Sequence, residues 1–382
     1  MRGARDDTFM TTESLLLLKQ SLSFLIGATA LAFLWAPLLT KFLYKYKITR
    51  RGDYDFTLQG EKKHKAGTPI MGGLLVVGTV AVITVLFNWQ RRYTYVPIGV
   101  MGIAAMLGGA DDLLTIFGGT RRLRSLKHRL NLIKVHNQWP MKLWHALAIP
   151  WTTFREAVSI FGSKQERGIQ VHEKLILQFV AGAITAWWIY VKLGESWHTL
   201  WIPFHGVIPI GWWIIPIIIF FVMFTANAVN VADGLDGLAG GSLISAFAGL
   251  TILSWIEGRT AFMPLNATVV GALIAYTYFN IKPARFQMGD VGSLGLGALL
   301  AINAIALNRT LLLLFFGFIF YVEICSVIIQ VLSRHLFGKR VFKMSPLHHH
   351  FEIKGWSEEK IVTRFWLIQA FVVTVGIWLA LN

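Results

Sequence analysis

An adjacent pair of acids, Asp111 and Asp112, follows an apolar run and the short sequence Gly-Gly-Ala. Carboxylates near the C-terminal end of a helix oppose the helix dipole, and acids close to a membrane are costly and usually functional. The pair therefore indicates either a ligand set for Mg²⁺ or a base for a phosphate-bearing acceptor. A pair that is merely solvated at an interface is the plainer alternative.

A second cluster combines two amides with two acids: Asn227, Asn230, Asp233 and Asp236. The acids are three residues apart and would share one face of a helix. The intervening glycines allow the backbone to approach a ligand closely. One Asp acting only as the N-cap of the next helix would leave the other three side chains unexplained, so we interpret the cluster as substrate-binding.

Two further polar segments follow. Asn280 and Asp290 flank a short basic loop, and Asp290 is either an N-cap for the next apolar run or a metal ligand. Three consecutive imidazoles, His348–His350, could bind a transition metal. Adjacent side chains diverge, however, so contact with phosphate or nucleotide is at least as compatible, and a loop without chemistry remains possible. Lys65, before a Gly-Thr-Pro turn, is the candidate for a substrate phosphate.

The elements that must position these groups are membrane-spanning helices. Of 382 residues, 55% are hydrophobic and 15% are charged, and the mean hydropathy is +0.56. A soluble domain carries about 25% charged residues. A span needs about 20 apolar residues. Ten runs qualify as candidates: Leu15–Leu39, Ile70–Phe87, Tyr95–Leu114, Leu175–Leu193, Trp212–Thr225, Leu238–Ile256, Phe262–Ile281, Ser293–Leu307, Thr310–Leu332 and Phe365–Leu381. We expect an all-α, polytopic integral membrane protein.

The distribution of basic residues predicts the orientation. With both termini outside, 28 of the 36 Lys and Arg fall in the inward segments, as the positive-inside rule requires. All the polar clusters then lie at the inner ends of spans. The net charge of +16 indicates a basic cytoplasmic face that suits anionic lipid and phosphates, rather than nucleic acid.

We expect residues 1–382 to form a single transmembrane catalytic domain with a long basic cytoplasmic loop at about 115–174. That loop interleaves Arg and Lys with Trp139, Trp144 and Trp151. An interfacial amphipathic helix is the preferred interpretation, with a solvated linker as the alternative. We expect 121–163 to be a membrane-surface element outside the catalytic centre.

Together, the acids indicate a divalent metal and the basic residues indicate phosphates. That combination is typical of phosphoryl transfer, in which catalysis is mostly positioning and charge neutralisation. The sequence has no Walker A motif, which argues against an ATP-driven pump. A single cysteine, Cys325, excludes an intrachain disulfide and a Cys-rich zinc site.

Five motifs occur in a characteristic order: HKAGTPIMGG, GADD, NAVNVADGLDGLAGG, FNIKPARFQMGDVGSLGLG and SPLHHHFEIKGW. They resemble the motifs of bacterial phospho-N-acetylmuramoyl-pentapeptide transferases, and the resemblance covers the chain from Lys41 to its end. The aspartate motifs are shared by the superfamily that transfers sugar 1-phosphates to polyprenyl phosphates. The three-histidine box resembles that of the muramoyl-pentapeptide branch.

The resemblance implies that UDP-N-acetylmuramoyl-pentapeptide and undecaprenyl phosphate give lipid I and UMP, with Mg²⁺. It also implies a homodimer of ten-helix subunits in the bacterial cell (inner) membrane, with the active site on the cytoplasmic face. By motif, Asp290 resembles the Mg²⁺ ligand, and Asp111 and Asp112 the pair that engages the lipid phosphate. The expected catalytic residues are Asp111, Asp112, Asp290 and His348; the expected substrate-binding residues are Lys65, Asn227, Asn230, Asp233, Asp236, Asn280, Gln330, His349 and His350.

The sequence departs from the family pattern twice. Gln287 stands where the family usually has Phe, and Phe286 lies one residue earlier. The segment after Asp112 is longer than the family's short basic loop. Only Arg167-Gly-Ile, with Lys174 six residues after the glycine, resembles the ending of that loop.

Two other functions compete with this prediction. A relative that transfers GlcNAc 1-phosphate to the same lipid would share the aspartates, so only the histidine box separates it. A secondary transporter would place polar residues near the bilayer midplane, whereas here only Glu323 lies well inside a predicted span.

The predicted topology can be tested by labelling single cysteines introduced into a Cys325→Ser protein. A cysteine in the Trp197–Pro209 loop should react with a membrane-impermeant maleimide added to intact cells, because that loop is predicted to lie outside. A cysteine at position 349 should react only after the membrane is opened. Labelling of position 349 from outside alone would refute the orientation.

Overall fold

The apolar runs of the sequence form long helices in a computed structural model, which describes residues 12–50, 67–118, 126–135, 138–159 and 168–382. The described chain is almost entirely α-helical. In chain order its α-helices are α1 (Thr12–Lys45), α2 (Leu74–Phe87), α3 (Tyr95–Phe117), α4 (Leu126–Val135), α5 (Trp139–Leu147), α6 (Ile149–Ser159), α7 (Val171–Trp187), α8 (Ile214–Ala232), α9 (Leu238–Ile256), α10 (Phe262–Asn280), α11 (Gly289–Ala306), α12 (Leu313–Phe316), α13 (Phe318–Phe337), α14 (Leu347–Ile353) and α15 (Glu358–Ala380).

The length and composition of these helices are those of a polytopic membrane protein. Within the described ranges, nine helices are long and apolar enough to cross a bilayer, and α2 is a shorter apolar helix of 14 residues. Each of the ten predicted spans overlaps one of these ten helices. The prediction of an all-α membrane protein with about ten spans is therefore confirmed. The first helix is continuous past Ala28-Thr-Ala, where the sequence resembles a signal-peptidase site.

Helices α10 and α11 form the centre of the bundle. Their most apolar 18-residue windows are 83% and 89% buried, whereas the window of α1 is 22% buried. Helix α11 packs between α3 and α8, and α1 packs along α10. In α11 every residue from Val291 to Ala306 is buried. The position of α11 therefore determines where the groups at its N-terminus can lie.

The predicted span Thr310–Leu332 is broken rather than continuous. The chain runs through α12, interrupts its helix at Gly317, and resumes as α13. The fully buried side chain of Gln369 bonds to backbone groups on both sides of this break. Its Nε2 donates to Phe316 O at 2.7 Å, and its Oε1 accepts from Ile319 N at 2.9 Å. Because lipid offers no hydrogen bonds, a helix break in a bundle needs such a partner.

The end of the bundle opposite the polar clusters carries a small hairpin. Strands β1 (Thr199–Ile202) and β2 (Gly206–Pro209) pair antiparallel, with Thr199 opposite Pro209. Trp197 precedes the hairpin and donates its indole N–H to Ala306 O, at the C-terminal end of α11, at 2.9 Å. The hairpin therefore covers the far end of the central helix.

Helices α4, α5 and α6 lie in the long segment between α3 and α7. Trp151 stacks edge-on against His172 near the start of α7, with ring centroids 5.3 Å apart, so the segment contacts the bundle. Several of its large apolar side chains are exposed, and Trp139 and Trp144 are 72% and 68% exposed. That the segment is a membrane-surface element stays a prediction, and part of 121–163 lies outside the described residues.

We predict that replacing 121–163 by a short polar linker lowers the thermal unfolding midpoint in lipid nanodiscs, since Trp151 no longer covers His172. The double substitution Trp139→Ser and Trp144→Ser is the matched test of the exposed face. It should reduce the phospholipid that copurifies with the protein without lowering the midpoint in detergent. Equal lipid retention by the double variant and the wild type would contradict a bilayer-facing role.

Candidate active site

The acids predicted from three separate motifs meet at one end of the bundle. Asp111 and Asp112 lie near the C-terminal end of α3, Asp233 directly follows α8, and Asp290 is in the first turn of α11. Asp111 and Asp112 are 3% and 7% exposed, so the acids lie within the protein rather than on its surface. The expectation that these clusters share one end of the spans is met.

Two carboxylates cap the N-terminus of α11. Asp112 accepts the backbone N–H of Asp290 at 3.2 Å through Oδ1 and that of Val291 at 3.1 Å through Oδ2, while Asp233 Oδ2 accepts the N–H of Gly289 at 3.1 Å. The first N–H groups of a helix have no partner within it, and its dipole favours negative charge there. Both oxygens of Asp112 are thus committed to the backbone.

Lys174 bridges the other two acids. Its Nζ lies 2.5 Å from Asp111 Oδ2 and 2.8 Å from Asp290 Oδ2. The second oxygen of Asp111 accepts the N–H of Ile169 at 2.5 Å. The end of the long loop is therefore part of the site: Gly168 and Ile169 pack on Asp111, and Lys174 neutralises the carboxylate pair.

Close backbone approaches allow this arrangement. A Cβ on Gly108 would lie 2.1 Å from Asp290 O, so α3 and α11 meet where only glycine fits. Gly289 has φ +71°, in the left-handed region, and a Cβ there would lie 2.7 Å from Asp112 Oδ2. The glycines beside the acids thus bring the two helices into hydrogen-bonding range.

The two amides of the second motif have different partners. Asn230 donates Nδ2 to Asp290 Oδ1 at 2.8 Å and to Ser293 Oγ at 2.9 Å, which orients the Asp290 carboxylate. Asn227 pairs reciprocally with Gln178 of α7, at 2.6 and 3.2 Å. The structure therefore places Asn230 inside the acidic centre, and Asn227 beside it at the contact between α7 and α8.

Asp236 and Asn280 hold the loops around the acids. Asn280 accepts the N–H of Gly237 at 2.9 Å and donates to Phe286 O at 2.9 Å, while Asp236 Oδ2 accepts the N–H of Ala284 at 3.4 Å. These bonds tie the loop after α8 to the loop before α11. Both residues thus border the site, with the Asn280 amide engaged on both sides, and their predicted role in substrate binding stays a prediction.

The three imidazoles diverge, as expected for adjacent residues. His348 is 1% exposed and contacts the buried acid Glu323, with 3.0 Å between Nδ1 and Oε2. His349 pairs with Glu352. His350 accepts the N–H of Lys343 at 3.1 Å through Nδ1. Partial desolvation, helped by Lys354 and Lys343, lowers the pKa of His350, so its ring is neutral near pH 7 and can accept that bond.

Gln330 and Gln287 each form side-chain hydrogen bonds to neighbouring segments of the chain. Gln330 accepts the N–H groups of Val341 and Phe342 and donates to Phe342 O at 2.9 Å, which supports the chain leading to the histidine box. Gln287 accepts from Arg50 Nη1 at 3.2 Å. The family usually has Phe at position 287. Phe286, one residue earlier, does not substitute for that ring, because its side chain is fully buried. Lys65 lies outside the described residues.

The cluster of acids suits a cation. Burial raises the pKa of the Asp233 carboxyl to about 8, so this acid needs nearby positive charge to stay ionised at neutral pH. Within the described parts of the chain, no group of three or more His, Cys, Asp or Glu forms a ready metal cage. Asp111 and Asp290 converge on one cation, Lys174, and Mg²⁺ typically uses one or two carboxylates plus substrate phosphates. This donor set therefore fits Mg²⁺.

Comparisons with known proteins agree with this geometry. A family model described as glycosyl transferase family 4 matches residues 158–308. A phospho-N-acetylmuramoyl-pentapeptide-transferase of Chloroflexus aurantiacus is 36% identical over 352 residues, covering 89% of this chain and 84% of the relative. The enzyme of the same name from Lacticaseibacillus paracasei is 33% identical, covering 95% and 98%. A third, from Thermoanaerobacter, is 32% identical, covering 90% and 95%.

The chain belongs to the phospho-N-acetylmuramoyl-pentapeptide-transferase family. The resemblance predicted from the five motifs is thereby confirmed, and so are the expectations of a membrane-embedded phospho-sugar transferase and of a role in peptidoglycan synthesis.

Two residues of this family member were not among the predicted site residues. Lys174 was noted only as the end of a loop, because 61 residues separate it from Asp112. The sequence feature that could have identified Lys174 is its place in the first turn of a span, where the helix dipole disfavours positive charge. Glu323 was noted only as an acid within a span, which by itself is a functional signal, but its partner could not be read from sequence.

The structure predicts different consequences for the two adjacent acids. Asp112→Asn should lower the free energy of unfolding by about 1–3 kcal/mol, since an amide cannot accept both N–H groups of α11. Asp111→Asn should leave the thermal midpoint near that of the wild type and reduce transfer at least about 100-fold, as expected for a group that acts in the reaction. A larger loss of stability in Asp111→Asn than in Asp112→Asn would reverse this assignment.

Proposed function

We propose that this protein transfers phospho-N-acetylmuramoyl-pentapeptide from UDP to undecaprenyl phosphate, giving lipid I and UMP in the first membrane step of peptidoglycan synthesis. An oxygen of the lipid phosphate forms a bond to the sugar-bearing phosphorus of the donor. The bond from that phosphorus to the UMP oxygen breaks. The names of the relatives support this reaction, as they specify the transferred group.

The observation that carries the proposal is the Lys174 bridge between Asp111 and Asp290, at 2.5 and 2.8 Å. Phosphoryl transfer requires positive charge beside the reacting phosphates and groups that hold them in line. Lys174 supplies such a charge beside an oriented carboxylate pair. An acceptor phosphate can displace Asp111 from the ammonium, and Asp111 can then take a proton from that phosphate.

Asp111 is the better candidate for the reacting acid of the pair. Its Oδ2 faces a flexible lysine side chain, whereas both Asp112 oxygens accept backbone N–H groups of α11. Breaking the Asp112 contacts would uncap a buried helix, whereas breaking the contact of Asp111 Oδ2 with Lys174 leaves the bond of Asp111 Oδ1 to the Ile169 backbone in place. The role of Asp112 is then to hold the backbone of Asp290 in place, so that the Asp290 side chain lies beside Asp111.

We propose that Mg²⁺ is the cofactor and that Asp290 is its ligand, with Asp111 as the neighbouring oxygen donor. When bound, the ion neutralises charge on the donor diphosphate. Asn230 holds one Asp290 oxygen at 2.8 Å, and the other oxygen contacts Lys174 at 2.8 Å. The carboxylate is thus already oriented for a cation.

The remaining proposals concern the donor pocket and the surroundings. His348–His350, Asn227, Asp233, Asp236, Asn280, Gln330 and Lys65 are proposed to bind or frame the nucleotide sugar. The protein is proposed to be a homodimer in the bacterial cell membrane, with this site on the cytoplasmic face. The distribution of Lys and Arg supports that orientation.

The alternatives are weaker on specific grounds. A secondary transporter would use Glu323 as an acid on an ion path, but that carboxylate is fully buried against His348. A transferase for GlcNAc 1-phosphate would use the same acids. The three relatives described above, each covered over most of its length, are named for the muramoyl-pentapeptide reaction, which favours that donor.

A donor-competition assay tests the proposal. Purified protein with Mg²⁺ and undecaprenyl phosphate should release UMP from UDP-N-acetylmuramoyl-pentapeptide at least about 100-fold faster than from UDP-GlcNAc, which corresponds to a modest specificity of a few kcal/mol. The product should be a lipid-linked sugar detected by mass spectrometry. Comparable turnover of UDP-GlcNAc would overturn the muramoyl assignment.

The same assay carries two controls. Chelation of divalent metal should abolish UMP release and added Mg²⁺ should restore it, whereas unchanged release in chelator would refute the cofactor proposal. Omission of undecaprenyl phosphate should prevent release; continued release would instead indicate hydrolysis of the donor.

A further inference from the structure

A reciprocal pair of amides joins α7 to α8 one helical turn after Lys174. Gln178 donates Nε2 to Asn227 Oδ1 at 3.2 Å, and its Oε1 accepts Asn227 Nδ2 at 2.6 Å. Asn227 Nδ2 also donates to Met223 O at 2.8 Å in its own helix. Since a side-chain amide has two N–H bonds, both of those on Asn227 are used inside the protein. Gln178 is 3% exposed, so the pair is a buried contact between two helices.

The pair closes a ring of polar contacts that includes the acidic centre. Lys174 and Gln178 are four residues apart and share one face of α7. Asn227 and Asn230 are three residues apart and share one face of α8. Lys174 Nζ and Asn230 Nδ2 each contact one oxygen of Asp290 at 2.8 Å. The Asp290 carboxylate therefore joins α7 to α8 on one side of the ring, and the amide pair joins them on the other.

Beyond the pair, the contact between α7 and α8 depends on small residues. Gly182, one turn after Gln178, packs closely on α8, because a Cβ there would lie 3.0 Å from Ile219 Cα. An apolar cleft between α3, α7, α8 and α11 is lined by Gln178 together with small side chains: Ala104, Ala181, Ala226 and Ala298. Alanine forms only shallow ridges on a helix, so these apolar contacts constrain the sliding of α7 less than the directional amide pair does.

Lys174 thus lies between two anchors of its helix. Five residues before it, the N–H of Ile169 bonds to Asp111 Oδ1 at 2.5 Å and ties the chain to α3. Four residues after it, Gln178 ties the helix to α8. A lysine side chain is a flexible four-carbon stem that does not by itself determine where its ammonium lies. The backbone between the two anchors determines where that stem begins.

We propose that Gln178 is a positioning residue for the transfer reaction. Paired with Asn227, it holds α7 in the register that places the Lys174 ammonium between the two site carboxylates. Gln178 touches neither substrate and acts through Lys174, and Asn227 frames the site through the same pair. That Lys174 serves the transfer reaction rests on the proposed function, whereas its placement by the amide pair does not.

The double substitution Gln178→Leu with Asn227→Leu separates positioning from stability. Its thermal unfolding midpoint should stay near that of the wild type, because replacing both partners of a buried hydrogen bond by apolar groups of similar size is nearly neutral. The kcat should nevertheless fall about tenfold, since displacing a group near the reacting atoms by about 1 Å costs up to about 100-fold. The KM for the nucleotide-sugar donor should stay within about twofold of the wild type.

An exchange of the two amides tests the pair itself. Gln178→Asn alone shortens one side chain by a methylene, so the pair cannot close without movement of the helices, and kcat should fall. Adding Asn227→Gln restores the combined length and every donor and acceptor, and kcat should return to within about threefold of the wild type, as for two coupled residues. A folded exchange variant without this recovery would overturn the proposal. Should the double-leucine protein not fold, the exchange variant decides the question.

Chemical labelling reads the placement of Lys174 without any substrate. An amine-acylating reagent should modify Lys174 slowly in the wild type, relative to the exposed Lys192 of the same chain, because two carboxylates hold the ammonium. In the double-leucine protein this relative rate should rise at least about threefold, as for a weakened charge-assisted contact. The exchange variant should label like the wild type. Faster labelling in a protein that transfers another sugar would support the positioning and refute only the proposed donor.

A matched control removes an interhelical amide contact far from the site. Asn303 donates to Asn266 at 2.7 Å, near the other end of α11. Asn303→Leu should alter the thermal midpoint without changing kcat or the labelling of Lys174. An equal fall of kcat in this control would overturn the proposal, because the effect would then follow from any lost amide contact. Wild-type kcat and labelling in the double-leucine protein would also overturn it.

Discussion

The N-terminus of α11 is the constraint on which the rest of this site depends. Its backbone N–H groups are directed at the acidic end of the bundle, and carboxylates from α3 and α8 accept them. Three helices that are distant in sequence are thereby fixed to one another. The helix dipole favours the gathering of acids, and burial makes it expensive unless they are paired. Lys174 relieves the remaining repulsion between Asp111 and Asp290.

The membrane imposes a second requirement, that each polar group inside the bundle has a partner. Gln369 supplies it at the break between α12 and α13, Gln178 supplies it for Asn227, and Glu323 receives His348. These partners come from neighbouring helices rather than from water. Many polar residues within the spans therefore mark contacts between helices.

Much of the fold was predictable because lipid permits few alternatives. A run of about 20 apolar residues has to be a helix, so the spans and the shared location of the acid motifs followed from hydropathy. The break at Gly317 did not, because the apolar run continues through it. Nor did the distinct roles of Asp111 and Asp112, since adjacent residues look equivalent until the backbone of α11 is placed against one of them.

The role of Lys174 could not be predicted from the sequence either. The loop before it is long and rich in basic residues, so no rule of spacing selects one lysine among many. What selects it is the register of α7: the N–H of Ile169 bonds to Asp111, which fixes the start of the helix, and the lysine then falls one turn into α7 beside both acids. The long segment therefore meets the two acids through its last seven residues, in which the backbone of Ile169 and the side chain of Lys174 hold Asp111 from both sides.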